Sequence, residues 1–324
     1  MFFHVSRPSV RTVGRWAPLR HGMATTAPGS TIELAFTGPF ATLYFDIENL
    51  TLPYPHLWID LDGGAQFEVP VDRYLRVQAP TDGEHFLKIV YKGARETANR
   101  WHHPLQGYVL FTGFEAQGEG TLPADNRKTI ELVGDSITEG VLIDPQYAPN
   151  IENDQYNRPY QDDSLATYGA LLAKELDLVP LFCGYGAVGV TKGGCGGVPS
   201  APELYDYCFE GVPVDYPPAD YVLINHGTND RHNPHLFKES YTALLDRVFA
   251  RNPQAQVVAL IPFCGAFKEE LQALIPAYCA QKKKAILLID TTGWLPPDPL
   301  HPLRDGHIFA SKKIAEIMRA QFDL

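Results

Sequence analysis

The chain of 324 residues has only five cysteines, and none falls into a C-x-x-C pair or a zinc-type Cys/His spacing. Cys183, Cys195 and Cys208 lie far apart, so no disulfide framework is expected. The odd count points to reduced thiols and a cytoplasmic setting. No stretch approaches the ~18 apolar residues of a membrane span, so no membrane partner is expected. Positive charge is in deficit, with 27 Lys and Arg against 38 Asp and Glu and a net charge of -11. Such a chain has no electrostatic reason to hold nucleic acid. Acidic residues are missing from the first thirty positions, which carry Arg7, Arg11, Arg15 and Arg20. That bias is one of a transit peptide, but Pro8 and Pro18 interrupt the helix such a peptide needs, and no apolar core of a secretory signal follows the start. The expectation is an N-terminal arm packed on the domain behind it. What remains is 45 % hydrophobic and 20 % charged, an ordinary globular balance long enough for two domains.

Two patterns divide the chain. From Ser30 to Gly118 apolar residues alternate with period two, in Thr31–Phe36, Ala41–Asp46, Leu57–Leu61, Phe67–Val71, Phe86–Tyr91 and Tyr108–Phe111. Turn residues separate them, as in Thr37-Gly38-Pro39 and Asp62-Gly63-Gly64, and the series predicts an antiparallel β-sandwich. Gly118–Pro123 reads as a linker. Strand-like runs at 129–133, 179–183, 220–225, 256–261 and 285–289 then alternate with helix-like runs at 164–176, 238–251, 267–280 and 306–322. This alternation predicts an α/β fold with a parallel sheet between two helical layers. The domains expected are 1–123 and 124–324, with Ser164 and Asp305 as helix caps.

Three segments of the second half carry chemistry. Gly134-Asp135-Ser136-Ile137 follows the run 129–133 and places a serine at the carboxyl end of a strand, where open α/β sheets bind ligands. A serine hydroxyl needs a base, and Asp298-x-x-His301 offers both a base, His301, and a carboxylate to orient it, Asp298. Asn229, in Gly227-Thr228-Asn229-Asp230, is a candidate donor to an oxyanion, beside the Ser136 N–H and an N–H of the glycine loop after 179–183. That loop, Gly184-x-Gly186-x-x-Gly189, spells a dinucleotide fingerprint. More glycines follow before any helix, which argues against a pyrophosphate site. His102, His103, His232 and His235 show no spacing that closes a metal site, so neither metal nor cofactor is expected. Asp305-Gly306-His307 is a second Asp/His pair. Asp135 and Trp294 are candidates for substrate contact, Trp294 as a stacking wall for a sugar.

These segments resemble the blocks of the SGNH (GDSL-like) hydrolases: Gly134-Asp135-Ser136-Ile137-Thr138 the first, Gly227-Thr228-Asn229-Asp230 the third and Asp298-x-x-His301-Pro302 the fifth. The resemblance makes Ser136 the nucleophile and His301, rather than His307, the base. It makes Ser136, Gly186 and Asn229 the oxyanion hole. The whole chain is similar to carbohydrate esterase family 2, through Ser30–Gly38, Asp82-Gly83-Glu84-His85 and Val13-Gly14-Arg15-Trp16. That implies a jelly-roll sandwich followed by an SGNH domain. It also implies a serine esterase that deacetylates acetylated sugars or oligosaccharides. Some members of that family use a Ser-His pair alone, so Asp298 is an expectation of its own. A short-chain lipid or aryl esterase, and a non-catalytic carbohydrate-binding protein, are the competing readings.

Overall fold

The computed structural model of the protein describes residues 1–150, 152–322 and 324. The period-two runs of the first half become strands because alternate side chains can share one core. In Phe40–Phe45 the buried positions are Ala41, Leu43 and Phe45. All strand pairs of this half are antiparallel. One sheet runs Ala17–Leu19, Gly22–Thr25, Val109–Glu115, Phe40–Phe45, Tyr74–Gln78, and the other Gly118–Glu119, Thr31–Thr37, Glu84–Gly93, His56–Leu61, Phe67–Pro70. The N-terminal segment is more than a packed arm. Phe2–His4 pairs with Val109–Glu115 and Val10–Val13 with Thr31–Thr37, so it adds a strand to each sheet.

The second half is a five-stranded parallel sheet in the order Val179–Gly184, Thr129–Gly134, Tyr221–Asn225, Gln256–Leu260, Ile286–Ile289. Its strands are mostly apolar because both faces are covered. In Tyr221–Asn225, Tyr221 and Leu223 pack with Ile314 and Met318 of the helix Arg304–Phe322 and with Leu172 of Tyr168–Glu175. Val222 and Ile224 face the other way, toward Leu244 and Val248 of Pro234–Arg251. That second face is continuous with the sandwich core, so one cluster runs from Leu34 and Phe114 to Val133 and Val222.

Two predicted caps differ. Asp163 caps the short turn Ser164–Ala166 and Thr167 caps Tyr168–Glu175, because residues 164–176 form two elements. Asp305 lies inside the first turn of Arg304–Phe322, where its charge suits the helix dipole.

Buried charge ties the halves together. Arg15 meets Glu131 at 3.2 Å with neither side chain exposed, and the hydroxyls of Tyr205 and Tyr216 donate to the same carboxylate. Arg100, from the sandwich, pairs with Glu139 in the turn that begins at Ser136. Removing one partner strands a charge in the interior. Arg100→Met is therefore expected to cost about 3–5 kcal/mol in urea unfolding, and Arg100→Met/Glu139→Met to regain most of it. An unchanged midpoint in the single variant would show that the pair contributes nothing.

Candidate active site

Register brings the candidate residues together. Gly134 pairs with Gly184 on one side and with Asn225 on the other, so three strands end level. Ser136 lies two residues past its strand, Gly186 two past the neighbour and Asn229 four past the third. From Thr129–Gly134 the chain goes to Val179–Gly184 on one side and then to Tyr221–Asn225 on the other, so this is the switch point of the sheet. Ser136 opens the one-turn helix Ser136–Glu139, capped by Asp135, whose carboxylate accepts from the Ile137 N–H at 3.0 Å. Gly134 is required by space, since a Cβ there would stand 2.0 Å from Thr138 Oγ1.

His301 Nε2 lies 2.9 Å from Ser136 Oγ, across 165 positions of sequence. Burial pushes the imidazole below its usual range, with Glu96 pulling it up and Arg158 pushing it down. A neutral imidazole at pH 7 is the form a general base needs. The expected Asp298–His301 contact is not made. Asp298 is exposed, and no hydrogen bond or ion pair joins it to His301. The carboxylate whose charge His301 feels is Glu96, on the loop after the sandwich strand Glu84–Gly93. Glu96 pairs with Arg158 at 2.8 Å and lies against the glycine loop, for a Cβ on Gly186 would stand 2.0 Å from its Oε1. Asp298→Asn is accordingly expected to change kcat only a few-fold, against the ~10⁴-fold loss of an orienting carboxylate. Glu96→Gln removes a charge that favours imidazolium, so the acid limb of kcat/KM should move to lower pH. Profiles of both variants check this, and a collapse of kcat in Asp298→Asn would restore the triad.

His307 has a different place. It is buried, and its Nδ1 accepts from the Tyr168 N–H at 2.9 Å, fixing the start of that helix to the C-terminal one.

Among the described residues, the Ser136 and Gly186 N–H groups donate to no protein acceptor. Asn229 Nδ2 donates to the Val188 carbonyl at 3.0 Å and stands 3.4 Å from Asp135 Oδ2. Asp135 therefore holds other groups and does not face a substrate. It is 1 % exposed, and burial pushes its carboxyl up to about 7. Asp230 anchors the glycine loop, accepting from the N–H groups of Val190 and Thr191 and from the Thr191 hydroxyl. A donor held beside a strand-end serine acts on charge that develops there. Asn229→Ala is expected to lower kcat roughly 10²–10³-fold with KM little changed. A pure KM effect would make it a substrate-positioning residue instead.

A model of the GDSL-like lipase/acylhydrolase family matches residues 132–308, more than half of the chain. The chain belongs to that family. No curated protein matches it. Among solved structures it is similar to a family two carbohydrate esterase from Cellvibrio japonicus, with TM-score 0.81 and 19 % identity over 100 % of this chain and 98 % of that one. The acetyl xylan esterase Est2A from the rumen bacterium Butyrivibrio proteoclasticus gives 0.78 and 18 % over 100 % and 98 %. A family two carbohydrate esterase from Clostridium thermocellum, in complex with cellohexaose, gives 0.74 and 20 % over 97 % and 99 %. At these identities the likeness is one of fold, and it spans the sandwich and the parallel sheet alike.

Other residues of this GDSL-like chain lie outside the constellation. Trp294 packs with the cluster around Ile314 and Ala310, and Lys313 Nζ stands 5.2 Å from its ring centroid. Those contacts pack the ring on the C-terminal helix. The glycine loop leads into no α-helix until Ala201–Leu204, so no helix begins at Gly184–Gly189 itself, where a dinucleotide fingerprint needs one. Among the described residues no group of three or more His, Cys, Asp and Glu is arranged to hold a metal ion, and no helix is long and apolar enough to cross a membrane. Glu96 and Arg158 escape sequence reasoning because they lie on opposite halves and belong to no motif. Only the fold brings them to His301 and the glycine loop.

Proposed function

We propose that the protein is a serine esterase that removes acetyl groups from acetylated sugars or from xylo- and manno-oligosaccharides. The observation that carries this reading is the 2.9 Å contact of His301 Nε2 with Ser136 Oγ at the switch point of the sheet. In the reaction, His301 takes the Ser136 proton as Oγ attacks the ester carbonyl. The tetrahedral oxyanion accepts from the Ser136 and Gly186 N–H groups and from the Asn229 amide. Collapse breaks the bond to the sugar oxygen, and the imidazolium returns the proton to that leaving alcohol. Water then attacks the acyl-enzyme by the same route, releasing acetate and Ser136.

Two features favour an acetyl group on a sugar. Glu96 lies against Gly186, and a carboxylate beside the glycine loop suits a short acyl group better than a long alkyl chain. The likeness to carbohydrate esterases of family two runs through both halves of the chain. The test is the turnover of 4-nitrophenyl acetate, butyrate and octanoate, beside acetylated xylo-oligosaccharides. Acetate release with a steep fall at butyrate is expected. Equal rates on octanoate would favour the lipid or aryl esterase, and no ester turnover a binding protein.

A further inference from the structure

Between the two halves, next to the catalytic loop, lies a cleft of about 570 Å³, a size typical of small-molecule sites. Trp58 and Lys92 of the sandwich form one wall, and Asp144, Tyr147, Tyr160 and Arg304 the other. A second cleft of about 340 Å³ meets it at Trp58 and Arg304. Arg304 is three residues from His301, at most about 11 Å along the chain between Cα atoms.

Both tyrosine rings are exposed, and Tyr160 and Trp58 are fixed by side-chain contacts. Tyr147 is 57 % and Tyr160 41 % exposed. The Tyr160 ring meets His56 edge-on at 4.5 Å, the Tyr147 N–H donates to the Asp144 carbonyl, and Trp58 Nε1 donates to Asp163 at 3.0 Å. Among the described residues, neither tyrosine hydroxyl has a protein partner. Rings with an apolar face and a free polar tip suit a ligand that is apolar on one side and hydroxylated at its rim.

Charge narrows the ligand further. Arg304 is paired with Asp144 at 2.7 and 2.6 Å and with Asp163 at 2.8 Å, through three of its five N–H donors. Lys92 donates to the carbonyls of Pro159, Tyr160 and Asp162 and stands 3.3 Å from Glu68. Three carboxylates therefore surround two cations, each paired with at least one of them, and this net negative balance does not favour an anion. The ligand is neutral.

We propose that this cleft is a second sugar subsite. It holds a glycosyl unit of the substrate chain other than the one that carries the acetyl group, with Tyr147 and Tyr160 against the sugar's C–H face. The proposal rests on the sugar-ester reading above, and it gives the sandwich half a part in substrate selection.

The test uses full-length Ser136→Ala protein titrated with unacetylated xylotetraose and cellotetraose by calorimetry. Saturable binding of at least one is expected, weakened about ten-fold or more by adding Tyr147→Ala and only slightly by Tyr147→Phe, with thermal melts checking the fold. In the active enzyme, Tyr147→Ala should raise KM for acetylated xylotetraose while kcat holds. No binding of either tetraose, or binding indifferent to Tyr147 and Tyr160, overturns the subsite. If acetylated sugars are not hydrolysed yet tetraose binding depends on Tyr147, the esterase reading fails and the subsite stands. If they are hydrolysed with the same KM in Tyr147→Ala, the subsite fails and the esterase reading stands.

Discussion

Ser136→Ala is expected to lower kcat by roughly 10⁴–10⁶-fold while the protein folds as before. The hydroxyl's partner is His301 Nε2, so its removal orphans no structural hydrogen bond. The helix cap is made by Asp135 and the turn by backbone, neither of which needs Oγ. The loss belongs to the chemical step because Ser136 Oγ is the hydroxyl that His301 Nε2 meets. Adding His301→Ala to Ser136→Ala should cost little more, since the base has no task without the nucleophile. A fluorophosphonate probe should label the wild type and not the variant. Near-wild-type turnover in a preparation free of contaminating esterase would remove Ser136 from the reaction.

The parallel half was legible because its sheet is buried on both faces. Runs such as Tyr221-Val222-Leu223-Ile224 have no polar position to blur them, and the predicted strand at 129–133 appears as Thr129–Gly134. The first 25 residues were not. Their strands are three or four residues long, too short to show a period, and their Arg and Pro residues imitate a targeting segment. The helix Asp154–Gln161 was missed for a related reason. It is polar and contains Pro159, and it is fixed from outside, by Lys92 bonding the carbonyls at its end.

The site divides along the same line. Ser136, Gly186 and Asn229 are readable because each follows an apolar strand, and parallel register then makes them neighbours. Asp298 illustrates the limit of local spacing. An Asp three residues before a His can orient it only if the loop turns the two side chains together, and here the stretch Pro296–Leu300 is exposed. The charge at His301 comes instead from the Glu96–Arg158 pair, whose members are 62 residues apart and meet only because the halves share one core.

The two histidines near the C-terminus should separate cleanly. His301→Ala is expected to lower kcat by orders of magnitude, because the same imidazole activates Ser136 and protonates the leaving alcohol. Its folded pKa lies below the ordinary 6.5, so wild-type kcat/KM should rise through an acid limb centred below pH 6.5 and then level off. The variant should lose that limb with its activity. His307→Ala should keep the limb and lose stability instead. Burial pushes His307 down to about 3, while in the unfolded chain it titrates near 6.5. Between those values the unfolded state binds the extra proton, so His307 adds stability that is complete above pH 6.5 and fades as pH falls toward about 3. Its acceptor bond from the Tyr168 N–H requires the neutral ring, which gives the same sign. Urea unfolding between pH 4 and 8 should therefore show a flatter pH dependence in His307→Ala than in the wild type. Equal losses of kcat in both variants would mean that the base has been assigned to the wrong histidine.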